Sequence, residues 1–292
     1  MHDFTQFVIS GVLLGGTYAL MSVGLALIFG VMRVVNFGQA DFMMLAMYAT
    51  FTLWTVGRVE PLVSLLVVAP SFYGLGWLIH RALLDRLTGA RYAHDAQIIL
   101  TLGIGLLLQT AALLIWGANP RIVNTSYSAI SWTVAGFFVD AARAYAFLVA
   151  LLAGTVLFWL LRWTTLGRVL RASADDWEAS EYVGIDVRHA QGVAFGLGIA
   201  LTAMAGAVLT TFRPFDPFIG QQLVVLMFVA VVLGGLGSVT GALVGGLLVG
   251  LTEVLSQFFL SPSLSPVAVF GLFLAVLYLR PQGLFGHRGR TL

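Results

Sequence analysis

Long runs nearly free of charge recur along the whole chain, at 6–30, 41–57, 61–83, 95–117, 143–163, 190–211, 221–235, 238–260 and 265–280. Crossing the hydrocarbon of a bilayer takes about 20 apolar residues in a helix. A backbone inside lipid must also satisfy its own hydrogen bonds, so such runs fold as helices. Only 10% of the residues are charged, against roughly 25% in soluble domains, and so few cannot clothe a water-facing surface. The runs at 221–235 and 265–280 are short; with 41–57 they read as tilted, half-spanning or re-entrant pieces. The expected fold is a single all-α polytopic transmembrane bundle over 1–292, with eight to ten membrane segments centred on nine.

Orientation follows from arginine. Met1 to Gln6 contains no basic residue other than His2, so the first run reads as a retained helix and not a removed leader. Arg33; Arg81, Arg86 and Arg91; Arg162, Arg168, Arg171 and Arg188; and Arg280, Arg288 and Arg290 fall at alternate ends of the runs. These eleven outnumber Arg58, Arg121, Arg143 and Arg213 on the other side. The bias predicts a multi-pass protein of the cell (inner) membrane, N-terminus outside and C-terminus cytoplasmic.

The same composition excludes several functions. A net charge of +2 provides no basic field for nucleic acid. All basic residues other than histidine are Arg, so no Lys can complete a phosphate-cradling P-loop, and the chain is not itself a P-loop ATPase. Cys is absent, which removes disulfides, thiolate metal sites and cysteine nucleophiles. The five histidines lie at segment ends or in loops without a His-Glu-x-x-His spacing. No enzyme activity, metal or cofactor is expected.

Glycine recurs every four residues at Gly237, Gly241 and Gly245, with Gly246 and Gly250 beside them. On one helix this spacing makes a stripe against which another backbone can pack closely. Gly11-x-x-x-Gly15-x-x-x-Ala19-Leu20 also recurs as Gly192-x-x-x-Gly196-x-x-x-Ala200-Leu201, in segments expected to run in opposite directions. That is the pattern of an inverted repeat.

Three polar features interrupt the apolar pattern. The cytoplasmic stretch 164–190 should contain a surface helix over about 173–184, with Ser173 as N-cap, Asp175 and Asp176 in the first turn, and Gly184 closing it. Its polar Asp176, Glu178, Ser180 and Glu181 alternate with Trp177, Ala179, Tyr182 and Val183, leaving one face for a partner. The second feature is Val34 to Asp41, where Asn36, Gln39 and Asp41 become intramembrane pathway candidates if the stretch enters the bilayer, and a surface turn otherwise. Glu253 is the third, a carboxylate inside an apolar run that should face the bundle interior.

The stretch 164–190 resembles the coupling loop of permease subunits of ABC importers, specifically the branched-chain amino-acid (LivH-type) family. Leu166-Gly167-Arg168, Arg171-Ala172, Asp175-Asp176, Ala179 and Gly184-Ile185-Asp186 follow its pattern in order and spacing. Gly16-Thr17-Tyr18-Ala19-Leu20 with Gly24 is similar to its first helix, and Val35-Asn36-Phe37 through Asp41 and Met44 to its second. There Gly38-Gln39-Ala40 stands where the family usually has Ala-His-Gly. Val232 to Ala242, on through Gly250 and Glu253, resembles its glycine-rich helix pair, and Leu279 to Gly286 its tail.

The resemblance implies an importer subunit that works with a second homologous permease, two ATP-binding subunits and an extracytoplasmic solute-binding protein. Arg171, Ala172, Asp175, Asp176, Glu178, Ala179 and Gly184 would then form the ATPase-coupling element. A urea or short-amide permease of the same family, a sugar or nucleoside permease of the same wider fold and a stand-alone secondary carrier are the alternatives. Glu253 and the repeat favour the carrier.

Overall fold

The computed structural model describes residues 2–87, 93–134, 136–260 and 262–286, so Arg91, Arg288 and Arg290 of the orientation argument lie outside the described residues. The nine apolar runs become α1 (His2–Met32), α2 (Gln39–Gly57), α3 (Pro61–Ile79), α4 (Ala93–Trp116), α5 (Ala141–Trp163), α8 (Val187–Leu209), α9 (Ile219–Gly234), α10 (Val239–Phe259) and α11 (Ser265–Leu279). Two further helices, α6 (Thr165–Asp175) and α7 (Trp177–Tyr182), occupy the 164–190 stretch.

Seven of these helical stretches are long and apolar enough to cross a membrane. One is the run at 265–280, which reaches spanning length because a turn at Pro262–Leu264 extends α11 backwards. Among the described residues α9, with 16 residues, is an apolar helix shorter than a full span, and α2, with 19, is not one of the seven. The exception to all-α is a small antiparallel hairpin before α5, β1 (Ser131–Val134) with β2 (Phe137–Asp140), Ser131 opposite Asp140. Its four-residue strands fall below any hydrophobic periodicity visible in the sequence.

α1 and α8 form the inner pair. In their most apolar stretches 78% and 89% of the residues are buried, against 11–22% in α3, α4, α5 and α11, which turn mostly outward. They run antiparallel and cross where Gly24 meets Gly198, so closely that a Cβ on either would strike the other's carbonyl oxygen. Each also seats an antiparallel outer helix on a glycine pair: Gly11 and Gly15 of α1 receive Leu251 and Leu247 of α10, and Gly192 and Gly196 of α8 receive Trp77 and Tyr73 of α3. The sequence motif shared by α1 and α8 therefore performs the same packing task twice.

The glycine stripe of α10 divides between two partners. Gly241 and Gly245 face Gly234 and Ala230 of α9, while Gly246 and Gly250 face Ala19 and Gly15 of α1. Gly237 departs from the sequence expectation because α10 begins only at Val239, capped by the Ser238 hydroxyl accepting from the Gly241 N–H at 3.0 Å. It sits instead in the α9–α10 turn, where φ is +106° at Gly235 and +81° at Gly237, a left-handed backbone that glycine alone adopts cheaply.

The two ends of the bundle are distinct. At one end Gln6 of α1 exchanges two hydrogen bonds with Phe138 of β2, and Arg121 pairs with Phe215 through backbone hydrogen bonds. At the other, Arg33 donates to the Ala174 carbonyl at 3.0 Å, and the tail returns onto α9, with the Leu284 and Phe285 N–H groups donating to the Leu233 and Gly234 carbonyls. Arg33, Arg162 at the end of α5, Arg168 and Arg171 within α6, and Arg280 at the start of the tail share this second end.

Candidate translocation and coupling sites

The 164–190 stretch is built from caps. Thr164 accepts from the Gly167 N–H at 3.1 Å and starts α6, and Asp176 accepts from the Ala179 N–H at 3.0 Å and starts α7. The expected single helix over 173–184 is therefore two helices broken at Asp176. Ser173 is not an N-cap: it lies inside α6, 3% exposed, because Asp176 takes an extended backbone with its carboxylate aimed at the next turn. Asp175 is the last residue of α6 and so not in a first helical turn. Gly184 does close α7, at φ +85°.

The surface so formed is unusually apolar. Trp177, Tyr182 and Val183 are 54%, 90% and 76% exposed, among exposed Arg171, Asp175, Asp176, Glu178, Ala179 and Gly184. Ala172 is half-buried. An aromatic and aliphatic patch rimmed by charges is the composition of a protein-docking site. Behind it lies a cavity of about 660 Å³, lined by Arg33, Gln97, Ser173, Trp177, Glu181 and Gln191, among others. The Arg33–Ala174 bond bridges this space and ties the end of α6 to the end of α1.

Asn36 lies in the α1–α2 break and Gln39 opens α2, where the chain folds back into the bundle beside α8. The Gln39 amide donates to the Thr202 hydroxyl at 2.6 Å and to the Gly198 carbonyl at 3.1 Å, and Asn36 donates to Gln39 Oε1 at 2.8 Å. All three side chains are buried. Asp41 stands one turn further along α2, between Gly105 of α4 and Gly220 of α9, where a Cβ on either glycine would meet its carboxylate. Gln39→Leu, which removes the acceptor of the buried Asn36 amide while the Thr202 hydroxyl keeps its own bond to the Gly198 carbonyl at 2.9 Å, should cost about 1–3 kcal/mol, read as a lower Tm of the detergent-purified protein.

Glu253 is set differently. It lines two cavities at the end of the bundle away from α6 and α7, one of about 310 Å³ with Gln6, Ser10 and Arg143, the other of about 410 Å³ between α9, α10 and α11. Arg213 and Gln257 line both as well. Arg213 donates to the Tyr18 hydroxyl at 2.8 Å, and Tyr18 feels the charge of both Arg213 and Glu253. Sequence reasoning counted Arg213 only toward orientation and passed over Tyr18. The available signal was a lone arginine among Phe212, Pro214 and Phe215 directly after an apolar run, with Asp216 as the nearest carboxylate in sequence.

A bundle of apolar helices packed backbone to backbone, with charge-lined cavities at one end and an exposed aromatic patch at the other, is a polytopic helical membrane bundle. The chain belongs to the family described as branched-chain amino acid transport system / permease component, whose pattern it matches over residues 7–277. It is 30% identical to the high-affinity branched-chain amino acid transport system permease protein LivH of Salmonella typhimurium, over 97% of this chain and 96% of that protein. The Escherichia coli LivH is 29% identical with the same coverage, and the permease protein BraD of Pseudomonas aeruginosa is 28% identical over 98% and 97%. These relatives are transport permeases, not enzymes.

Proposed function

We propose that this chain is the membrane-spanning subunit of an ATP-driven importer for branched-chain or related amino acids, receiving solute from an extracytoplasmic binding protein. The observation that carries the reading is the match to the permease family across nearly the whole bundle. The chain lacks lysine and hence a P-loop, so its energy must arrive through contact with ATP-binding subunits. The exposed α6–α7 unit supports that role, because Trp177, Tyr182 and Val183 offer a groove-filling patch and Arg33 links the unit to α1. Closure of the ATP-binding subunits would then shift α1 against α8 and change which end of the pathway is open.

In this reading Arg171, Ala172, Asp175, Asp176, Glu178, Ala179 and Gly184 form the coupling surface, on the cytoplasmic side together with the C-terminus. Asn36, Gln39, Asp41 and Glu253 line or support the pathway, and a second homologous permease completes it. The test is co-expression with the partner subunits and uptake into vesicles of leucine, isoleucine, valine, other amino acids, urea and short amides. ATP-dependent uptake of the branched-chain set is expected. Flux driven by an ion gradient without any ATP-binding subunit would refute the proposal.

A further inference from the structure

Two opposite charges at membrane depth normally neutralise each other, since an unpaired charge in a low-dielectric interior is costly. Arg213 and Glu253 line the same two cavities, yet among the described residues neither forms an ion pair with the other or with any third group. Glu253 Oε2 is buried with no hydrogen-bond partner. Between the two stands the Tyr18 hydroxyl, which accepts from Arg213 and leaves its own proton to donate.

A cation alone would be repelled by Arg213 and an anion alone by Glu253. The arrangement suits a small molecule that carries both signs. The cavity of about 410 Å³ lies within the range of small-molecule sites, roughly 300–1,000 Å³. Beyond the charges its wall combines the apolar Val225, Leu226, Val229, Val269 and Phe270 with the polar Gln222, Gln257 and Ser265.

We infer that Arg213 and Glu253 form a station for a free zwitterionic α-amino acid on the transport route, guanidinium to α-carboxylate and Glu253 carboxylate to α-ammonium, with an apolar side chain lying against α9 and α11. This rests on the importer reading and adds to it a selectivity point inside the permease, separate from the binding protein. Tyr18 is a positioning residue: its bond to Arg213 aims the guanidinium into the cavity. The guanidinium can meet a carboxylate with two parallel N–H donors, which lysine cannot imitate.

The experiment is binding of radiolabelled leucine to the purified complex of this chain with its partner subunits, without binding protein. Competitors are isoamylamine, which lacks the carboxylate, and 4-methylpentanoate, which lacks the ammonium. Wild type should bind leucine and reject both analogues. Arg213→Gln and Glu253→Gln should each weaken leucine binding about tenfold or more. Arg213→Gln should also narrow the gap between leucine and the amine, and Glu253→Gln the gap between leucine and the acid. Copurification with the ATP-binding subunits checks folding; should Arg213→Gln fail that check, Arg213→Lys replaces it and, lacking the paired donors, should likewise weaken leucine binding and narrow its gap to the amine.

Absence of leucine binding to wild type, equal competition by either analogue, or weakened variants with unchanged selectivity would each overturn the station. ATP-dependent uptake is measured in parallel. Its absence from wild type overturns the importer reading itself, whereas uptake by wild type with both variants binding as wild type overturns only the inference.

Discussion

Glu178→Arg combined with Ala179→Trp should abolish most ATP-driven uptake and release the ATP-binding subunits on purification. Both residues are exposed on α7, and the double change reverses a charge and adds bulk on the surface that carries Trp177 and Tyr182. Disrupting the centre of a docking patch typically costs at least about 2 kcal/mol, which is more than tenfold in affinity. The Ala179 backbone N–H donates to the Asp176 carboxylate, and the double change removes neither group, so α7 itself should persist. Copurification and vesicle uptake measure the two effects. Undiminished uptake would remove α7 from the coupling role.

The largest effect on stability is expected from Gly246→Leu. A Cβ at Gly246 would fall on the backbone of Ala19, and no rotamer can relieve a clash with main chain. Overpacking in a close-packed interior costs about 1–3 kcal/mol and more where backbone must move. The contact lies between α10 and the buried α1, so folded yield in detergent should collapse. Gly271→Leu makes the matching control, because a Cβ there meets nothing and α11 turns mostly outward. Normal yield from Gly246→Leu would show that the α1–α10 contact tolerates separation.

Much of this architecture is legible from residues alone. Each of the nine apolar runs corresponds to a helix, because length and hydropathy are summed over many residues and survive local error. The arginine bias gives the two ends of the bundle for the same reason. The four-residue glycine spacing identifies the close contacts, but not that Gly241 and Gly245 serve one neighbour while Gly246 and Gly250 serve another. That division depends on which helices flank α10, a tertiary fact.

The misplaced N-cap has a local cause. Ser173 and Asp176 are both good capping residues followed by helix-compatible sequence, and the choice between them is made by burial of Ser173 within α6. The Arg213–Tyr18–Glu253 grouping was illegible for a different reason. Its members are spread over α1, α10 and the turn after α8, and Arg213 contacts Tyr18 across 195 positions of chain. Glu253 was visible as an oddity, its company was not.

The crossing of Gly24 over Gly198 carries a mechanical consequence. There each glycine lies against the other's carbonyl oxygen, flanked by the Thr202 hydroxyl and the Ile28 side chain, so the two backbones come closest at this one crossing. A lever pushed at the Arg33 end must swing its far arm the opposite way, so spreading the helices at one mouth draws them together at the other. In the proposed importer, alternation between two mouths would follow from a pivot at that crossing, driven by a single stroke at one end of the molecule.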